Sequence, residues 1–305
     1  MQITSPGNRS RKQRYVIIIP ARNEELFLPE VIKSLAAQTI RPYLCIIVND
    51  GSTDKTGHIA DEAAVAHSWI RAVHRPDRGT RSVGPGVIEA FYSGFQMLRT
   101  VEYDYICKLD ADITLGEKYF EALIARMEAD PKLGAASGKV FNPNLSRGKI
   151  VEEKIIDEMV SGAAKFYKRQ TFQDIGGFVK EIMWDGIDFH RARMCGWKTR
   201  SFDDEALQIY HHRLMGSSQK NIIHGRLRWG RGQWFMGTHP LYILASGVYR
   251  MMERPFLFGG LLIIAGYFWA MVKGAPRYED LSFRKCLHEW QLKRLRLGWL
   301  VKRSE

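Results

Sequence analysis

Tyr105-Ile-Cys-Lys-Leu-Asp-Ala-Asp112 is an apolar run that leads into two carboxylates one residue apart. If the run forms a buried strand, Asp110 and Asp112 point to the same side at its end. Two like charges held that close repel each other unless a positive group lies between them. A divalent metal with a bound diphosphate meets that requirement, which indicates chemistry on a nucleotide-activated substrate. The alternative is a solvated acidic turn, because an Asp-x-Asp motif alone is weak evidence.

The preceding sequence alternates between buried β-branched runs and helical segments. Strands are predicted at 15–20, 44–48, 70–74 and 103–109, and helices at 26–38, 54–68 and 86–98. This alternation is typical of right-handed crossovers and a parallel sheet. Ligands bind beyond the carboxyl ends of such strands. Three polar clusters are predicted to meet at that edge: Pro20–Glu24, Asn49–Ser52 and Asp110–Asp112.

Four segments together resemble family 2 glycosyltransferases of the GT-A fold. They are Ile-Ile-Pro-Ala-Arg-Asn-Glu (18–24), Val-Asn-Asp-Gly-Ser-Thr-Asp (48–54), Leu-Asp-Ala-Asp (109–112) and Ile-Gly-Gly-Phe (175–178). The resemblance covers roughly residues 14–215. It implies an α/β, Rossmann-like domain with a mostly parallel sheet, which transfers a sugar from a nucleotide diphosphate donor with inversion at the anomeric carbon.

The resemblance also implies donor-binding residues. Pro20, Asn23 and Glu24 fall in the family's nucleotide-binding loop, and Asp50 falls where an acidic residue contacts the donor base. An ionised carboxylate only accepts hydrogen bonds, so it suits a ring N–H of a pyrimidine and favours a uridine donor. The alternative is that Asp50 and Ser52 only cap the next helix.

A metal site is implied at the same edge. Asp110 reaches the ribose or the metal, and Asp112 coordinates the metal, for which Mg²⁺ or Mn²⁺ is expected. His211 is a candidate for a further metal contact, although the neighbouring pair with His212 also fits a solvated surface. The glycine-rich loop 79–86 places Arg81 where it can pair with a diphosphate, but an ordinary loop is equally consistent with it.

An inverting transfer needs a base for the acceptor hydroxyl. The family's base is an Asp, often preceded by Glu, that follows the Gly-Gly-Phe turn. The matching stretch is Met183-Trp-Asp-Gly-Ile-Asp188, in which Asp185 is the first candidate and Asp188 the second. Trp184 replaces the Glu and is predicted to contact the acceptor. Both carboxylates are also consistent with a stabilising role at a helix N-terminus.

Further on, Gly225-Arg-Leu-Arg-Trp229 resembles the Gln-x-x-Arg-Trp segment of processive family members, with Gly225 in place of the Gln. Arg228 and Trp229 are predicted to flank an acceptor sugar, by charge and ring stacking. The alternative is a basic aromatic anchor at a membrane rim. The missing Gln argues against a processive polymer synthase.

The composition narrows the cellular setting. The chain has 305 residues, a net charge of +12 and four scattered cysteines without a Cys-x-x-Cys pair, so neither a zinc site nor a disulfide framework is indicated. Residues 1–14 are polar and basic and are expected to be flexible. A nucleic-acid binder would need its charge on an exposed groove with stacking aromatics, and the apolar C-terminal sequence argues against that.

Residues 216–305 are predicted to form a helical membrane-associating region. Residues 256–272 carry no charge, and basic residues flank them on both sides. A re-entrant or hairpin arrangement keeps both basic flanks on one side, whereas a single span does not. The basic tail, 284–303, has apolar residues at helical spacing and suits a membrane surface. The alternatives are a buried soluble helix for 256–272 and a tail helix packed on its own domain.

The sequence therefore predicts an inverting, metal-dependent glycosyltransferase at the cytoplasmic face of the bacterial inner membrane. Its expected partners are a UDP-sugar donor, a saccharide or lipid-linked acceptor and membrane lipid, with a role in cell-surface or exopolysaccharide assembly. One alternative is a polyprenyl-phosphate glycosyltransferase, whose acceptor oxygen is already ionised and needs no base. Another is a catalytically silent nucleotide-binding subunit of a membrane assembly.

Overall fold

The computed structural model describes residues 13–79, 84–144, 149–152, 155–213, 222–252 and 256–297. The strands are β1 (Tyr15–Ala21), β2 (Leu44–Asp50), β3 (Ile70–Arg75), β4 (Tyr105–Leu109), β5 (Ile113–Leu115), β6 (Leu133–Gly138), β7 (Val140–Asn144), β8 (Lys149–Glu152), β9 (Ala164–Lys168), β10 (Lys198–Phe202) and β11 (Ile209–His211). Most of the predicted N-terminal segment, Arg81 and the end of the basic tail lie outside these residues.

The helices divide between the sheet region and the C-terminal region. Those of the sheet region are α1 (Leu28–Ala36), α2 (Thr56–Ala66), α3 (Pro85–Phe95), α4 (Tyr119–Ala129), α5 (Arg169–Asp174) and α6 (Trp184–Met194). Those that follow are α7 (Ile222–Met236), α8 (Pro240–Arg250), α9 (Phe258–Val272) and α10 (Leu281–Arg294). The predicted alternation of strands and helices up to β4 is therefore present.

A seven-stranded sheet in the order β10-β6-β9-β4-β1-β2-β3 forms the centre of the fold. The pairs β4–β1, β1–β2, β2–β3 and β10–β6 are parallel, and only β9 runs antiparallel to its two neighbours. The predicted mostly parallel sheet is thus confirmed. A smaller sheet, β5-β11-β7-β8, extends it beside the carboxyl end of β4.

The sheet is buried on both faces, which explains the uninterrupted apolar strands. In β1, Tyr15, Ile17 and Ile19 pack with α1, α2 and α4 on one face. Val16 and Ile18 pack with α3, α5 and α6 on the other. β-branched residues on both faces are the pattern of a parallel strand covered by two helical layers.

The basic tail does not present its apolar face to the outside. In α10, Phe283 and Leu287 are buried and pack with Ile187 of α6 and Met236 of α7. The alternative of a helix packed on its own domain therefore describes residues 281–294, and their apolar side chains contribute to the protein core. None of the described helices is both long and apolar enough to cross a membrane.

Candidate active site

The loops after β1 and β2 are joined by hydrogen bonds at the carboxyl edge of the sheet. The Asn23 backbone N–H donates to Ser52 Oγ at 3.0 Å, and the Thr53 N–H donates to Asn23 Oδ1 at 2.9 Å. The Glu24 N–H donates to Thr56 Oγ1 at 2.7 Å, and Glu24 is almost fully buried. Asn23 adopts a left-handed φ of 55°, which Asn tolerates better than most residues. Two of the predicted clusters therefore meet.

Asp50, predicted to contact the donor base, is held by two arginines. Arg75 Nη1 lies 2.5 Å from Asp50 Oδ1, and Arg78 pairs with the other carboxylate oxygen. Arg78 also lies 3.0 Å from Glu89, so the cluster carries two cations and two carboxylates. Sequence reasoning did not identify Arg75, since only the β2–β3 register places it opposite Asp50.

The Asp-x-Asp pair lies in the turn between β4 and β5, since the strand itself ends at Leu109. Asp110 donates its backbone N–H to the carbonyl of Ala163 at 2.8 Å. Its carboxylate pairs with Lys108, whose ammonium also donates to the Gly162 carbonyl at 2.8 Å. Desolvation raises the pKa of Asp110, Lys108 opposes that shift, and the nearby Asp112 adds to it.

Asp112 lies against the end of β11, because β5 pairs antiparallel with β11 and sets His211 opposite Ile113. His211 Nε2 is 3.2 Å from Asp112 Oδ1, and Arg213 Nε is 3.3 Å from Asp112 Oδ2. Arg213 also pairs with Glu24 and so connects the first loop to the acidic turn. Arg213 was not predicted, since no motif marks a residue that reaches its partners through a second sheet.

These side chains bear on the predicted metal. In the described part of the chain, no group of three or more His, Cys, Asp or Glu side chains is arranged to hold a metal ion. However, Mg²⁺ at a nucleotide site is usually bound by one or two carboxylates, with phosphates and waters completing the shell. Asp112, with His211 beside it and Asp110 close by, supplies that smaller donor set, so the residues fit a metal that binds with the donor diphosphate.

The two candidate bases differ sharply in their surroundings. Asp185 lies in the first turn of α6 and is half-buried, and its carboxylate accepts no hydrogen bond from the described residues. A Cβ placed on Gly162 would lie 3.6 Å from Asp185 Oδ2. Because Lys108 bonds the Gly162 carbonyl and pairs with Asp110, the segment 162–163 lies between Asp110 and Asp185.

Asp188 is instead part of a buried ion pair. Its oxygens lie 2.7 and 2.6 Å from Lys165 Nζ, and Tyr167 donates to Oδ2 at 2.6 Å. Burial raises the pKa of Asp188, which Lys165 and Tyr167 oppose. Lys165 also donates to the Asp185 carbonyl at 2.8 Å and so fixes the turn that carries Asp185. With its oxygens engaged and buried, Asp188 has the contacts of a structural residue.

Trp184, predicted to contact the acceptor, lies between two buried lysines. Lys108 Nζ is 5.2 Å and Lys165 Nζ is 5.1 Å from its ring centroid, and Phe178 packs edge-on at 4.9 Å. Only 8% of Trp184 is exposed. The two lysines face each other across the β4–β9 pair. The indole therefore separates two ammonium groups, a favourable cation–π arrangement.

Arg228 and Trp229 lie on α7. Trp229 packs with the cluster of Ile243, Ile263 and Tyr267, and Arg250 lies 4.7 Å over its ring. One turn later, a Cβ on Gly232 would lie 2.7 Å from Met183 Cγ, directly before α6. The helix therefore passes close to the turn that carries Asp185, while Trp229 itself packs against the C-terminal helices.

Residues 16–179, more than half of the chain, match glycosyl transferase family 2. The chain belongs to this family. Three curated bacterial relatives share limited identity with this member. The glycosyltransferase GlyG of Streptococcus pneumoniae is 24% identical over 62% of the chain and 62% of its own length. The poly-β-1,6-N-acetyl-D-glucosamine synthase of Staphylococcus epidermidis is 23% identical over 70% of the chain and 53% of its own length. The polyprenol monophosphomannose synthase of Mycolicibacterium smegmatis is 28% identical over 43% of the chain and 48% of its own length.

Solved structures of glycosyltransferases share the fold of this family member. The mannosyltransferase PcManGT of Pyrobaculum calidifontis, in complex with GDP-Man and Mn²⁺, superposes with a TM-score of 0.55 at 15% identity, over 96% of the chain and 86% of its own. S. aureus TarS gives 0.52 at 16% identity, over 90% and 77%. At these identities the likeness establishes the GT-A-like α/β fold. The matches to the three curated relatives each span less than two thirds of the relative's length.

Proposed function

We propose that this family 2 member is an inverting glycosyltransferase, which moves a sugar from a nucleotide diphosphate donor to a saccharide or lipid-linked acceptor. A UDP-sugar is the proposed donor, and cell-surface or exopolysaccharide assembly at the cytoplasmic face of the bacterial inner membrane is the proposed setting. Support comes from the family match and from relatives named as a polysaccharide synthase and a polyprenol phosphomannose synthase.

The observation that carries the proposal is the placement of Asp185 beside the acidic turn. The segment 162–163 contacts both Asp110, through a backbone hydrogen bond and Lys108, and Asp185, through the close approach of Gly162. A donor bound along the carboxyl edge of the sheet therefore has a half-buried carboxylate near its sugar end. That is the arrangement an in-line displacement at the anomeric carbon requires.

In this mechanism Asp185 accepts the proton of the acceptor hydroxyl as the hydroxyl oxygen attacks the anomeric carbon and the bond to the diphosphate breaks. Lys165 holds the backbone carbonyl of Asp185 and, with Asp188, keeps the first turn of α6 in place. Asp188 has no proton-transfer role in this scheme, because Lys165 and Tyr167 occupy its oxygens.

The departing diphosphate needs positive charge. Asp112 and His211, with Asp110 nearby, would hold Mg²⁺ or Mn²⁺, which when bound stabilises the negative charge of the leaving group. Lys108 keeps the Asp110 carboxylate oriented from below, and Arg213 keeps Asp112 and Glu24 on the same side of the cleft. The polar first loop, with Asn23, closes the nucleotide end.

A transfer assay tests this proposal. The chain is incubated with a panel of nucleotide sugars, Mn²⁺ and membrane-extracted acceptors, and the released nucleoside diphosphate is measured. Asp185→Asn should lower kcat about 10²–10⁴-fold with little change in donor affinity, because only the general base is lost. The matched control is Asp203→Asn, an exposed carboxylate, which should leave turnover unchanged. Removing the metal with a chelator should abolish transfer.

The outcomes separate the alternatives. Full turnover by Asp185→Asn on hydroxyl acceptors would rule out Asp185 as the base. Full turnover by the same variant on a polyprenyl phosphate alone favours the polyprenyl-phosphate glycosyltransferase, since that ionised oxygen needs no base; the polyprenol phosphomannose synthase among the relatives supports testing it. Nucleotide binding without transfer to any acceptor would indicate a silent subunit.

A further inference from the structure

Helix α9 exposes a continuous apolar stripe. Its outward positions are spaced by three or four residues along the helix, which is the period of one face. They are Phe258, Leu261, Ala265, Trp269 and Val272. Phe258 is 67% exposed and Val272 is 80% exposed, and no charged residue occurs in α9. Large apolar residues in one row are not the scattered exposure of an ordinary surface.

The stripe continues over the turn into the preceding helix. Phe256 and Leu257, before α9, and Val248, Tyr249 and Met252, at the end of α8, are all more than half exposed. We call α8, α9 and the connection between them, residues 240–272, the apolar hairpin; residues 253–255 of that connection lie outside the described part. Its tip is therefore apolar on both helices.

Cations surround the base of the apolar hairpin, each over a tryptophan ring. Arg231 lies 5.6 Å from the ring centroid of Trp269, and Arg250 lies 4.7 Å from that of Trp229. Arg277 lies 4.6 Å from that of Trp234. Arginine beside tryptophan is the composition of a membrane–water interface, where the ring sits at headgroup depth and the cation meets lipid phosphates. This pattern identifies the complementary partner as an anionic lipid surface.

The internal packing of these helices also has a membrane character. A Cβ on Gly230 of α7 would lie 2.0 Å from the Ile263 carbonyl oxygen, and one on Gly266 of α9 would lie 2.3 Å from that of Leu227. A Cβ on Gly260 would lie 2.1 Å from the Gly247 carbonyl oxygen of α8. Glycine contacts that let helix backbones touch are typical of helices packed in lipid.

We propose that the apolar hairpin inserts its tip into one leaflet of a bilayer with anionic headgroups, without crossing it. At 15 residues, α9 is about 22 Å long, shorter than the hydrocarbon core of about 30 Å. The row of arginines and tryptophans stays at headgroup level, while the tip residues 256–258 reach the acyl chains.

The same geometry names the acceptor class, a step that rests on the proposed function. Helix α7 packs against α9 through Gly230 and Gly266, and it touches Met183, which precedes the Asp185 turn, through Gly232. One helix layer, about 10 Å thick, therefore separates the lipid-facing helix from the turn of the proposed base. An acceptor anchored in the same leaflet by a lipid tail can present its head there, so a lipid-linked acceptor is favoured over a soluble saccharide.

Vesicle flotation of the full chain tests the insertion. Vesicles contain phosphatidylcholine with or without phosphatidylglycerol, and the bound fraction is compared for wild type, Phe258→Glu and Val65→Glu. Val65 is a matched control, since it is 89% exposed but lies on α2, away from the apolar hairpin. We expect Phe258→Glu to reduce vesicle binding more than tenfold and Val65→Glu to leave it unchanged. Thermal unfolding verifies that both variants fold, and quenching of Trp269 fluorescence by brominated lipids, lost in Trp269→Phe, gives an independent measure.

Each remaining outcome has one meaning. If wild type does not bind anionic vesicles, or if Phe258→Glu binds as well as wild type, the insertion is overturned. A wild-type dimer that Phe258→Glu dissociates, without vesicle binding, identifies a second copy as the occupant and also overturns it. Metal-dependent transfer without vesicle binding overturns only the insertion. Vesicle binding without any sugar transfer leaves the insertion standing and refutes the proposed function.

Discussion

Replacement of Lys165 by methionine is expected to destabilise the protein strongly. Lys165 and Asp188 are fully buried, with side-chain exposures of 0% and 1%, and their charged atoms lie 2.6 Å apart. Methionine keeps much of the volume and removes the ammonium, so the Asp188 carboxylate remains in the core with Tyr167 as its side-chain hydrogen-bond donor.

The size of the effect follows from the burial of the pair. Breaking a buried ion pair by removing one partner costs about 3–5 kcal/mol, because the remaining charge is uncompensated. Lys198→Met is the matched control. Lys198 pairs with Asp130 at a similar distance, 2.8 Å, but its side chain is 62% exposed, and a surface pair contributes about 0–1 kcal/mol. The two lysines thus differ in burial and share the same type of partner.

Denaturant unfolding of the two variants and wild type, at pH 8 and pH 5, measures the difference. Burial raises the folded-state pKa of Asp188 above that of the unfolded chain, and the loss of Lys165 raises it further. The folded variant therefore binds a proton that the unfolded chain releases, so its deficit against wild type should be largest at pH 8 and shrink toward pH 5. A Lys165→Met deficit no larger than that of Lys198→Met, or one independent of pH, would refute the reasoning.

Two further predictions concern other buried sites. Burial lowers the pKa of His190 to about 3, so below pH 6.5 the unfolded chain takes up a proton that the folded chain does not, and stability falls with pH. His190→Gln should therefore lose about 2 kcal/mol less than wild type between pH 7 and pH 5 in denaturant unfolding; equal losses would contradict this. In α7, Gly230→Ala should cost about 1–3 kcal/mol, since its Cβ would lie 2.0 Å from the Ile263 carbonyl oxygen, whereas Gly225→Ala meets nothing within 4 Å and should gain up to about 1 kcal/mol. Similar thermal unfolding of these two variants would exclude close packing of α7 on α9.

The sheet was predictable because its information is local. A run such as Tyr15-Val-Ile-Ile-Ile is apolar at every position, and both of its faces are buried in the structure. Periodicity distinguishes such a strand from the helices beside it, and the right-handed crossover rule then sets the parallel order. The edge where Asn23, Asp50 and Asp110 gather follows from that order alone. The position of β9, antiparallel between β4 and β6, has no comparable local signal.

The C-terminal region shows where local patterns mislead. The tail helix carries apolar residues at helical spacing among basic ones, which fits a membrane surface and a protein core equally well. Phe283 and Leu287 lie in the core, so the choice depends on the complementary face of α6. For residues 256–272 the spacing of glycines matters more than mean hydropathy, because Gly260 and Gly266 determine which face packs inside and which remains exposed.

The charges around the candidate site were the least predictable part, and the reason is physical. Lys108 and Lys165 look like solvated lysines in the sequence, yet they face each other inside the sheet because β9 returns antiparallel to β4. Each carries its own carboxylate, Asp110 or Asp188, and the Trp184 ring lies near both ammonium groups. A buried lysine pair is tolerable only with such partners. Of two aspartates three residues apart on α6, one is therefore needed to neutralise Lys165, and the other, Asp185, is left for chemistry.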